Sequence, residues 1–380
     1  MRKSYEQRMI EWETHLTTRD TNRVVRPLQW GLEWTRDWPG VNGNYPAHPG
    51  ELSDREAEEY LGQLNREIIA DSDRFFSYVT PTDFRLEDTE VDAAGPESPG
   101  PEARAHGQTE TAKFLRFTSP VASPYPENNL VSARWFPAHA VPSMAYKRRA
   151  AVIVLPQWNA QAWSHNALCR VFNWLGISAL RMSKPYHDLR RPPETQRSDY
   201  AVSANIGRTI DSCRQAVTDV RSCVDWLETQ GYQNFGIVGT SLGSCYAFIA
   251  SAHDHRLRVN AFNHASTYFA DVLWTGQSTR HVRESLEHIG VERLRKLLLA
   301  VSPMSYFHKF EGKVKSSLVV YGKYDKTFLP ELSQQVVDEF RRHKLRLQVA
   351  VLPCGHYTIG ETPFKYLDAF YLARFLASSF

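Results

Sequence analysis

The sequence lacks the features that mark several large classes of protein. No run approaches the roughly 20 apolar residues needed to cross a bilayer, and the charged residues Arg2, Lys3 and Glu6 do not suit a signal peptide. The five cysteines have no CxxC spacing and no histidine at zinc-finger distance, and no Asn-x-Ser/Thr sequon occurs. We therefore expect a soluble cytoplasmic protein with reduced thiols, no membrane partner and no metal.

A large excess of either charge is also lacking. The 380 residues include 45 Lys and Arg against 42 Asp and Glu, a net charge of +3. No basic block is present to neutralise phosphates, so we expect no nucleic-acid partner. Hydrophobic residues make up 42% of the chain, which suffices for one large core or two modest ones.

Composition divides the chain into three parts. Residues 87–111 carry three prolines among Gly, Ala and acidic residues, which predicts a linker or exposed loop. Residues 1–86 then form an N-terminal helical extension packed on the core, and residues 112–380 form the main domain. The extension holds an aromatic segment that could line a ligand, although packing is the favoured interpretation. Its tryptophans are Trp30, Trp34 and Trp38.

Two helices have clear signals. Ser53-x-x-Glu56 is a capping box ahead of an amphipathic stretch, which predicts that a helix begins there. Apolar residues between Ile206 and Leu227 recur every three or four positions, as expected of a helix with one buried face.

Eight short Val/Ile/Leu/Phe-rich runs are predicted strands, and several are apolar on both faces. Two hairpin-like strands are followed by βα units, which predicts an α/β fold with a mostly parallel, doubly wound, eight-stranded sheet. The predicted strands are Lys113–Ser119, Leu130–Phe136, Ala150–Leu155, Ile177–Met182, Asn234–Val238, Val259–Phe262, Ser316–Tyr321 and Leu347–Leu352.

The strongest chemical signal is the segment Gly239-Thr240-Ser241-Leu242-Gly243, where a predicted strand runs through Gly-x-Ser-x-Gly into a predicted helix. A nucleophile elbow needs this spacing, because larger side chains two residues before and after the serine would collide with neighbouring backbone. Ser241 is therefore the candidate nucleophile, with a structural turn serine as the alternative.

A serine hydroxyl becomes a nucleophile when a histidine accepts its proton, and a carboxylate holds that histidine. Asp325 and His356 each follow a predicted strand, at the sheet edge where open α/β sheets gather ligands. Alternatives stay open: Asp325 could be a turn residue and His356 a surface histidine. His264 also ends a strand, but it precedes Asp325 and lies on the wrong strand to be the base, so we expect it to line the pocket.

The oxyanion formed during acyl transfer needs two amide donors. The N–H group of Leu242, directly after the nucleophile, is one candidate, and that of Trp158 is the other. In the loop before Trp158, Pro156-Gln157 stands where His-Gly is usual, so which amide points inward is open.

Substrate contacts are expected from loops at the same edge. The candidates are Gln157, His187, His264 and Tyr357. Residues 267–303 are long enough for two or three helices and are a predicted cap. Arg190 and Arg191 could bind a substrate carboxylate, although a solvated basic turn is the favoured interpretation.

From about Lys113 to Phe380 the sequence resembles the α/β-hydrolase superfamily, on the motifs Gly239–Gly243, Gly322–Asp325 and Gly355–His356. It looks most similar to bacterial abhydrolase-domain proteins and dienelactone-hydrolase-like esterases. The resemblance implies ester hydrolysis without a cofactor. Dienelactone hydrolases use a cysteine nucleophile, so their substrate does not carry over to a chain with Ser241.

The predicted function is hydrolysis of a small-molecule carboxylic ester by Ser241, Asp325 and His356 through an acyl-enzyme. A thioesterase, an amidase or an acyltransferase with the same residues is an alternative, because all share the acylation step. A non-catalytic binding scaffold is a further alternative, since fold does not fix function. A homo-oligomer also stays open.

Overall fold

The computed structural model describes residues 3–41, 45–92, 109–138 and 149–380. They form one nine-stranded sheet, in the order β1-β2-β3-β5-β4-β6-β7-β8-β9, with helices on both faces. The strands are β1 Arg85–Asp92, β2 Thr109–Thr118, β3 Leu130–Phe136, β4 Ala150–Leu155, β5 Ser178–Met182, β6 Asn234–Thr240, β7 Leu257–Asn263, β8 Ser316–Gly322 and β9 Leu347–Leu352.

The α-helices are α1 Tyr5–Thr18, α2 Asp54–Ala70, α3 Ser72–Phe75, α4 Pro126–Asn129, α5 Asn166–Trp174, α6 Ile206–Thr229, α7 Leu242–His253, α8 Phe269–Thr275, α9 Arg280–Leu286, α10 Val291–Leu297, α11 Pro330–Arg342 and α12 Phe364–Ser379. Short 3₁₀ helices span Leu32–Thr35, Pro49–Glu51, Asp188–Arg190, Gln277–Thr279, Leu299–Val301, Pro303–Phe310 and Thr358–Gly360. Within the described ranges, no helix is both long enough and apolar enough to span a membrane.

The sheet is antiparallel at one side and parallel elsewhere. The pairs β1–β2, β2–β3 and β3–β5 are antiparallel. The pairs β5–β4, β4–β6, β6–β7, β7–β8 and β8–β9 are parallel. The predicted α/β class and mostly parallel, doubly wound sheet are confirmed. The C-terminal ends of β6, β7, β8 and β9 therefore meet at one edge, where Ser241, His264, Asp325 and His356 follow them.

The predicted number of eight strands is wrong, because β1 adds a ninth. Strand β1 reads Arg-Leu-Glu-Asp-Thr-Glu-Val-Asp and has no apolar run. It lies at the sheet edge, where charged residues are common. Its carboxylates pair with cations of β2, Glu87 with Arg116 and Asp88 with Lys113. Cross-strand pairing thus stabilises a strand that hydrophobic patterning does not reveal.

The predicted linker over residues 87–111 overlaps the first two strands of the sheet. Residues 87–92 belong to β1, and residues 109–111 belong to β2. Residues 93–108, which contain the three prolines, lie outside the described residues.

Two apolar layers cover the sheet. One layer packs the buried stripe of α6, together with α7, against one face. The other packs α5 and α12, with Met9 of α1, against the opposite face. Helices α6 and α2 begin where the sequence predicts, and Ser53 and Glu56 form both bonds of the capping box. All five cysteines are free and buried.

The N-terminal tryptophans pack against the rest of the chain. The Trp38 indole is buried and donates a hydrogen bond of 2.7 Å to Oδ1 of Asp211. The Trp34 ring stacks on Tyr125, with 6.5 Å between ring centroids. These contacts hold the aromatic segment beside α6 and its neighbours and agree with the packing interpretation.

Arg190 is neither a solvated turn residue nor an exposed carboxylate-binding group. Its side chain and that of Asp219 are fully buried, and Nη1 donates to Oδ2 across 2.8 Å. The guanidinium also donates to the carbonyl oxygens of Asn128 and Ser183. The pair therefore ties the loop after β5 to helix α6.

We expect Arg190→Met to lower the free energy of unfolding by about 3–5 kcal/mol, because it leaves the carboxylate of Asp219 buried without its cation. The matched control is Arg191→Met, at a half-buried neighbour that makes one hydrogen bond to the carbonyl of Gln196, with an expected loss under about 1 kcal/mol. Urea unfolding checks both variants. Equal losses would contradict this description of the pair.

Candidate active site

Ser241 lies on a sharp turn between β6 and α7. Its backbone φ of +57° lies in a region that residues other than glycine rarely adopt. A Cβ atom on Gly239 would collide with the carbonyl oxygen of Gly243, and one on Gly243 would collide with that of Leu155. The Gly-x-Ser-x-Gly spacing is thus required by close backbone contacts, as expected of a nucleophile elbow.

The structure brings the three predicted triad residues together. Nε2 of His356 lies 3.0 Å from Oγ of Ser241. Nδ1 of the same ring lies 2.9 Å from Oδ2 of Asp325. A neutral imidazole that donates its Nδ1 proton to Asp325 presents the Nε2 lone pair to Ser241, which is the tautomer needed for proton acceptance.

Asp325 is buried and hydrogen-bonded on both oxygens. Its Oδ1 accepts the backbone N–H groups of Thr327 and Phe328, at 2.7 and 2.8 Å. Burial would raise the pKa of this carboxyl, but the imidazoles of His356 and His264 more than offset burial and hold the pKa well below its usual range. Asp325 is therefore a fixed negative charge at neutral pH.

The same carboxylate raises the pKa of His356. Burial alone would lower that pKa, but the charge and hydrogen bond of Asp325, together with the charge of Glu13, outweigh burial. The ring of Phe328 stacks on the imidazole, with 5.3 Å between centroids and 6° between planes. The imidazole is thus held in orientation by a carboxylate and by an aromatic face.

His264 was expected to line the pocket, and this is wrong. Its side chain is fully buried, and its Nδ1 lies 2.7 Å from Oδ2 of Asp325. Its ring centroid is 4.5 Å from that of His356. Burial, with the neighbouring His356, lowers the pKa of His264, so it remains a neutral imidazole behind the carboxylate. His264 lies beside Asp325 because it follows β7, which pairs directly with β8, the strand before Asp325.

The oxyanion candidates lie where two backbone segments meet. Leu242 begins helix α7, and the first N–H groups of a helix have no acceptor within it. The elbow packs on the loop of Trp158 through Gly243, which contacts the carbonyls of Leu155 and Pro156. The carbonyl oxygen of Gln157 accepts a 3.0 Å hydrogen bond from Nζ of Lys184. Because the peptide bond between Gln157 and Trp158 is trans, the N–H group of Trp158 points away from that carbonyl and its lysine.

Three side chains pack together at this loop. The Trp158 indole stacks on the imidazole of His281, with 5.8 Å between centroids, and the guanidinium of Arg197 lies over the indole. Arg197 also bonds Asp20 and Asn22 of the N-terminal segment. Ser241 is 5% exposed and the His356 side chain 10%, so both side chains are largely shielded from solvent.

The other predicted substrate contacts have different outcomes. Tyr357 lies beside His356, with 5.7 Å between ring centroids. The buried Oε1 of Gln157 has no hydrogen-bond partner among the described residues. His187 was predicted to contact substrate but is fully buried, with Nδ1 2.8 Å from the carbonyl of Pro185, which removes it from the accessible surface. The predicted cap over residues 267–303 contains helices α8, α9 and α10.

His264, Asp325 and His356 are also the residues whose chemistry could suit a metal ion, since their ligand atoms lie within 4.8 Å of one another. Both imidazole Nδ1 atoms, however, are at hydrogen-bond distance from the same carboxylate oxygen, 2.7 and 2.9 Å. An ion of Zn²⁺ size would have to separate these atoms, because each ligand lies about 2 Å from the metal. The observed distances therefore do not fit a bound ion of that kind.

Sequence reasoning missed the roles of Arg197, His281 and Phe328. Each of these side chains contacts a site residue that is distant in sequence. Sequence periodicity reports only on neighbours within one helix or strand and therefore does not reveal such contacts. The end of β7 did give a signal for His264, since adjacent parallel strands deliver neighbouring residues to one edge.

Comparison with known proteins agrees with this architecture. Residues 117–276 match the family model of alpha/beta hydrolase domain containing 18, whereas a search of curated proteins found no significant match. Similar solved structures include acetyl xylan esterase 1 from a Thermoanaerobacterium species, with 14% identity, coverage of 92% of this chain and 99% of that one, and a TM-score of 0.54.

Two further structures are similar. Acetyl xylan esterase from a Paenibacillus species has 11% identity, coverage of 85% of this chain and 96% of that one, and a TM-score of 0.54. Pyrococcus horikoshii acylaminoacyl peptidase has 10% identity and a TM-score of 0.55, with coverage of 70% of this chain but only 41% of the peptidase. The chain therefore has the α/β-hydrolase fold, and residues 117–276 are similar to one family with that fold.

Proposed function

We propose that the protein is a serine hydrolase that cleaves a carboxylic ester of a small molecule. The observation that carries this proposal is the continuous chain of contacts from Ser241 through His356 to Asp325, with distances of 3.0 and 2.9 Å. A structural turn serine would not need an imidazole at its hydroxyl, or a buried carboxylate behind that imidazole.

In the first half of the reaction, Oγ of Ser241 bonds to the acyl carbon while its proton moves to Nε2 of His356. The carbonyl oxygen becomes an oxyanion, which the N–H groups of Leu242 and Trp158 bind. As the intermediate collapses, the bond to the leaving alkoxide breaks, and His356 returns the proton to that oxygen. The acyl group is then esterified to Ser241.

In the second half, water gives a proton to Nε2 of His356 and bonds to the same acyl carbon. Collapse of this second intermediate breaks the bond to Oγ, and the proton returns to Ser241. The carboxylic acid leaves, and the free enzyme is restored. Asp325 keeps its charge throughout and stabilises the imidazolium that forms twice in each turnover.

Ester hydrolysis is the leading proposal, but the same residues could also transfer an acyl group from a thioester or amide, or onto an alcohol. The fold relatives named above include two esterases and a peptidase by name. A panel of acetyl ester, acetyl thioester and N-acetyl substrates separates these activities, because only the leaving group differs. Turnover of none of them by the folded protein would favour a binding scaffold.

We expect Ser241→Ala to reduce kcat for hydrolysis of p-nitrophenyl acetate by at least about 10⁴-fold, because the nucleophile is removed. The free energy of unfolding should stay within about 1 kcal/mol of the parent value, since one hydroxyl is lost. The control is Ser305→Ala, which removes a hydroxyl bonded to the carbonyl of Leu299 outside the site. Unchanged turnover in Ser241→Ala would refute the proposal.

The pH dependence gives a second test. Catalysis requires neutral His356, so kcat/KM should fall as the pH drops through the pKa of this residue. Burial lowers that pKa, whereas the charge and hydrogen bond of Asp325 raise it, so Asp325→Asn should move the acidic limb of the profile to lower pH. The variant should also lose about 10⁴-fold in plateau kcat, because the wrong tautomer becomes favoured.

The matched control for this second test is Asp338→Asn, which alters an exposed carboxyl on α11. Its profile should overlay that of the parent. An Asp325→Asn profile with the parent's acidic limb would show that Asp325 does not set the protonation of the base.

A further inference from the structure

Helix α1 brings a buried carboxylate to the loop that carries His356. Glu13 has no exposed surface, although Glu11 on the same helix is largely exposed and pairs with Lys3. Buried carboxylates are rare unless they are paired or hydrogen-bonded. The position of Glu13 therefore needs a specific set of partners.

Those partners are the residues directly after His356. Oε1 of Glu13 accepts the N–H group of Tyr357 at 2.9 Å, and Oε2 accepts the N–H group of Thr358 at 2.9 Å. Oε2 also accepts the Thr358 hydroxyl at 3.0 Å, and that hydroxyl accepts the N–H group of Gly355 at 2.6 Å. Donors alone surround the carboxylate, which suits the ionised, acceptor-only form.

Gly355 makes room for this arrangement. A Cβ atom at this position would lie 2.5 Å from Cδ and Oε2 of Glu13, closer than side-chain atoms can approach. The Glu13 side chain thus holds the loop on both sides of His356. It packs against Gly355 and accepts hydrogen bonds from Tyr357 and Thr358. None of these contacts is needed to close the sheet.

We propose that Glu13 is a positioning residue for the catalytic base: it holds the loop of His356 and adds a negative charge behind the imidazole. This inference rests on the proposed function for its catalytic consequence. Two carboxylates, from α1 and from the loop after β8, then act on one histidine. The N-terminal segment becomes part of the active-site machinery through this one side chain.

The charge of Glu13 should affect the base directly. It raises the pKa of His356, after the larger effects of burial and Asp325. Burial raises the pKa of Glu13 itself, and the N–H groups of Thr358 and Tyr357 oppose that rise. The titratable groups around these two residues are Asp325 from the loop after β8, His264 from the end of β7, and Cys354 and Tyr357 from the loop after β9.

The test is Glu13→Gln, which keeps the size of the side chain and removes its charge. NMR titration of ¹⁵N-labelled histidine measures the pKa of His356 without requiring turnover, and kcat/KM for p-nitrophenyl acetate is measured across pH in parallel. We expect the His356 pKa to fall by about half a unit or more, and kcat/KM to drop at least about tenfold because the loop loses its anchor.

The matched control is Glu11→Gln, which removes an exposed charge from the same helix and should leave both readouts unchanged. A folded Glu13→Gln protein with the parent's His356 pKa and pH profile would overturn the inference. A drop in thermal stability with an unshifted pKa would also overturn it, since that is the result of a purely structural role.

A second variant keeps the inference testable if Glu13→Gln does not fold. Thr358→Val removes one donor to the carboxylate, and the hydroxyl that binds Gly355, at nearly constant volume. We expect Thr358→Val to lower kcat/KM severalfold, as Glu13→Gln does. A kcat/KM equal to that of the parent would count against the inference. If the parent protein itself hydrolyses no ester, the proposed function fails, and the NMR titration still decides whether Glu13 acts on His356.

Discussion

The arrangement of this site depends on one buried carboxylate, that of Asp325, which accepts three hydrogen bonds just after β8 and has a second imidazole beside it. Two backbone amides bind one oxygen, and two imidazoles approach the other. Because the carboxylate is fixed on all sides, the imidazole bonded to it is fixed as well, and its free nitrogen points to Ser241. The parallel sheet makes this possible, since β6, β8 and β9 end at the same edge.

A second carboxylate acts from the other end of the chain. Glu13 binds the loop after β9, whereas Asp325 binds the ring that this loop carries. Together they give His356 both its orientation and its raised pKa. The N-terminal segment also reaches the loop of Trp158, because Asp20 and Asn22 bind Arg197, whose guanidinium lies over the Trp158 indole. Helix α1 and the residues after it are therefore joined to the site by polar contacts.

Much of this could be predicted from sequence, for identifiable physical reasons. Strands β3, β4 and β9 were predicted with their observed limits, because each is a short run rich in apolar residues with clear boundaries. Strand β1 could not, because an edge strand paired through charges has no apolar run. The elbow glycines predicted the position of Ser241, since their requirement is local. The end of β7 predicted that His264 lies at the site, but the role of Glu13 depends on contacts across the fold, which local patterns do not encode.

The central claim is that His356 makes the hydroxyl of Ser241 an unusually reactive nucleophile. The most direct measurement is the mass of the folded protein after treatment with a fluorophosphonate, followed by peptide mapping of the adduct. The account predicts one adduct per chain, on Ser241, formed faster as the pH rises through the pKa of His356. Absence of an adduct, or an adduct confined to another residue, would contradict it.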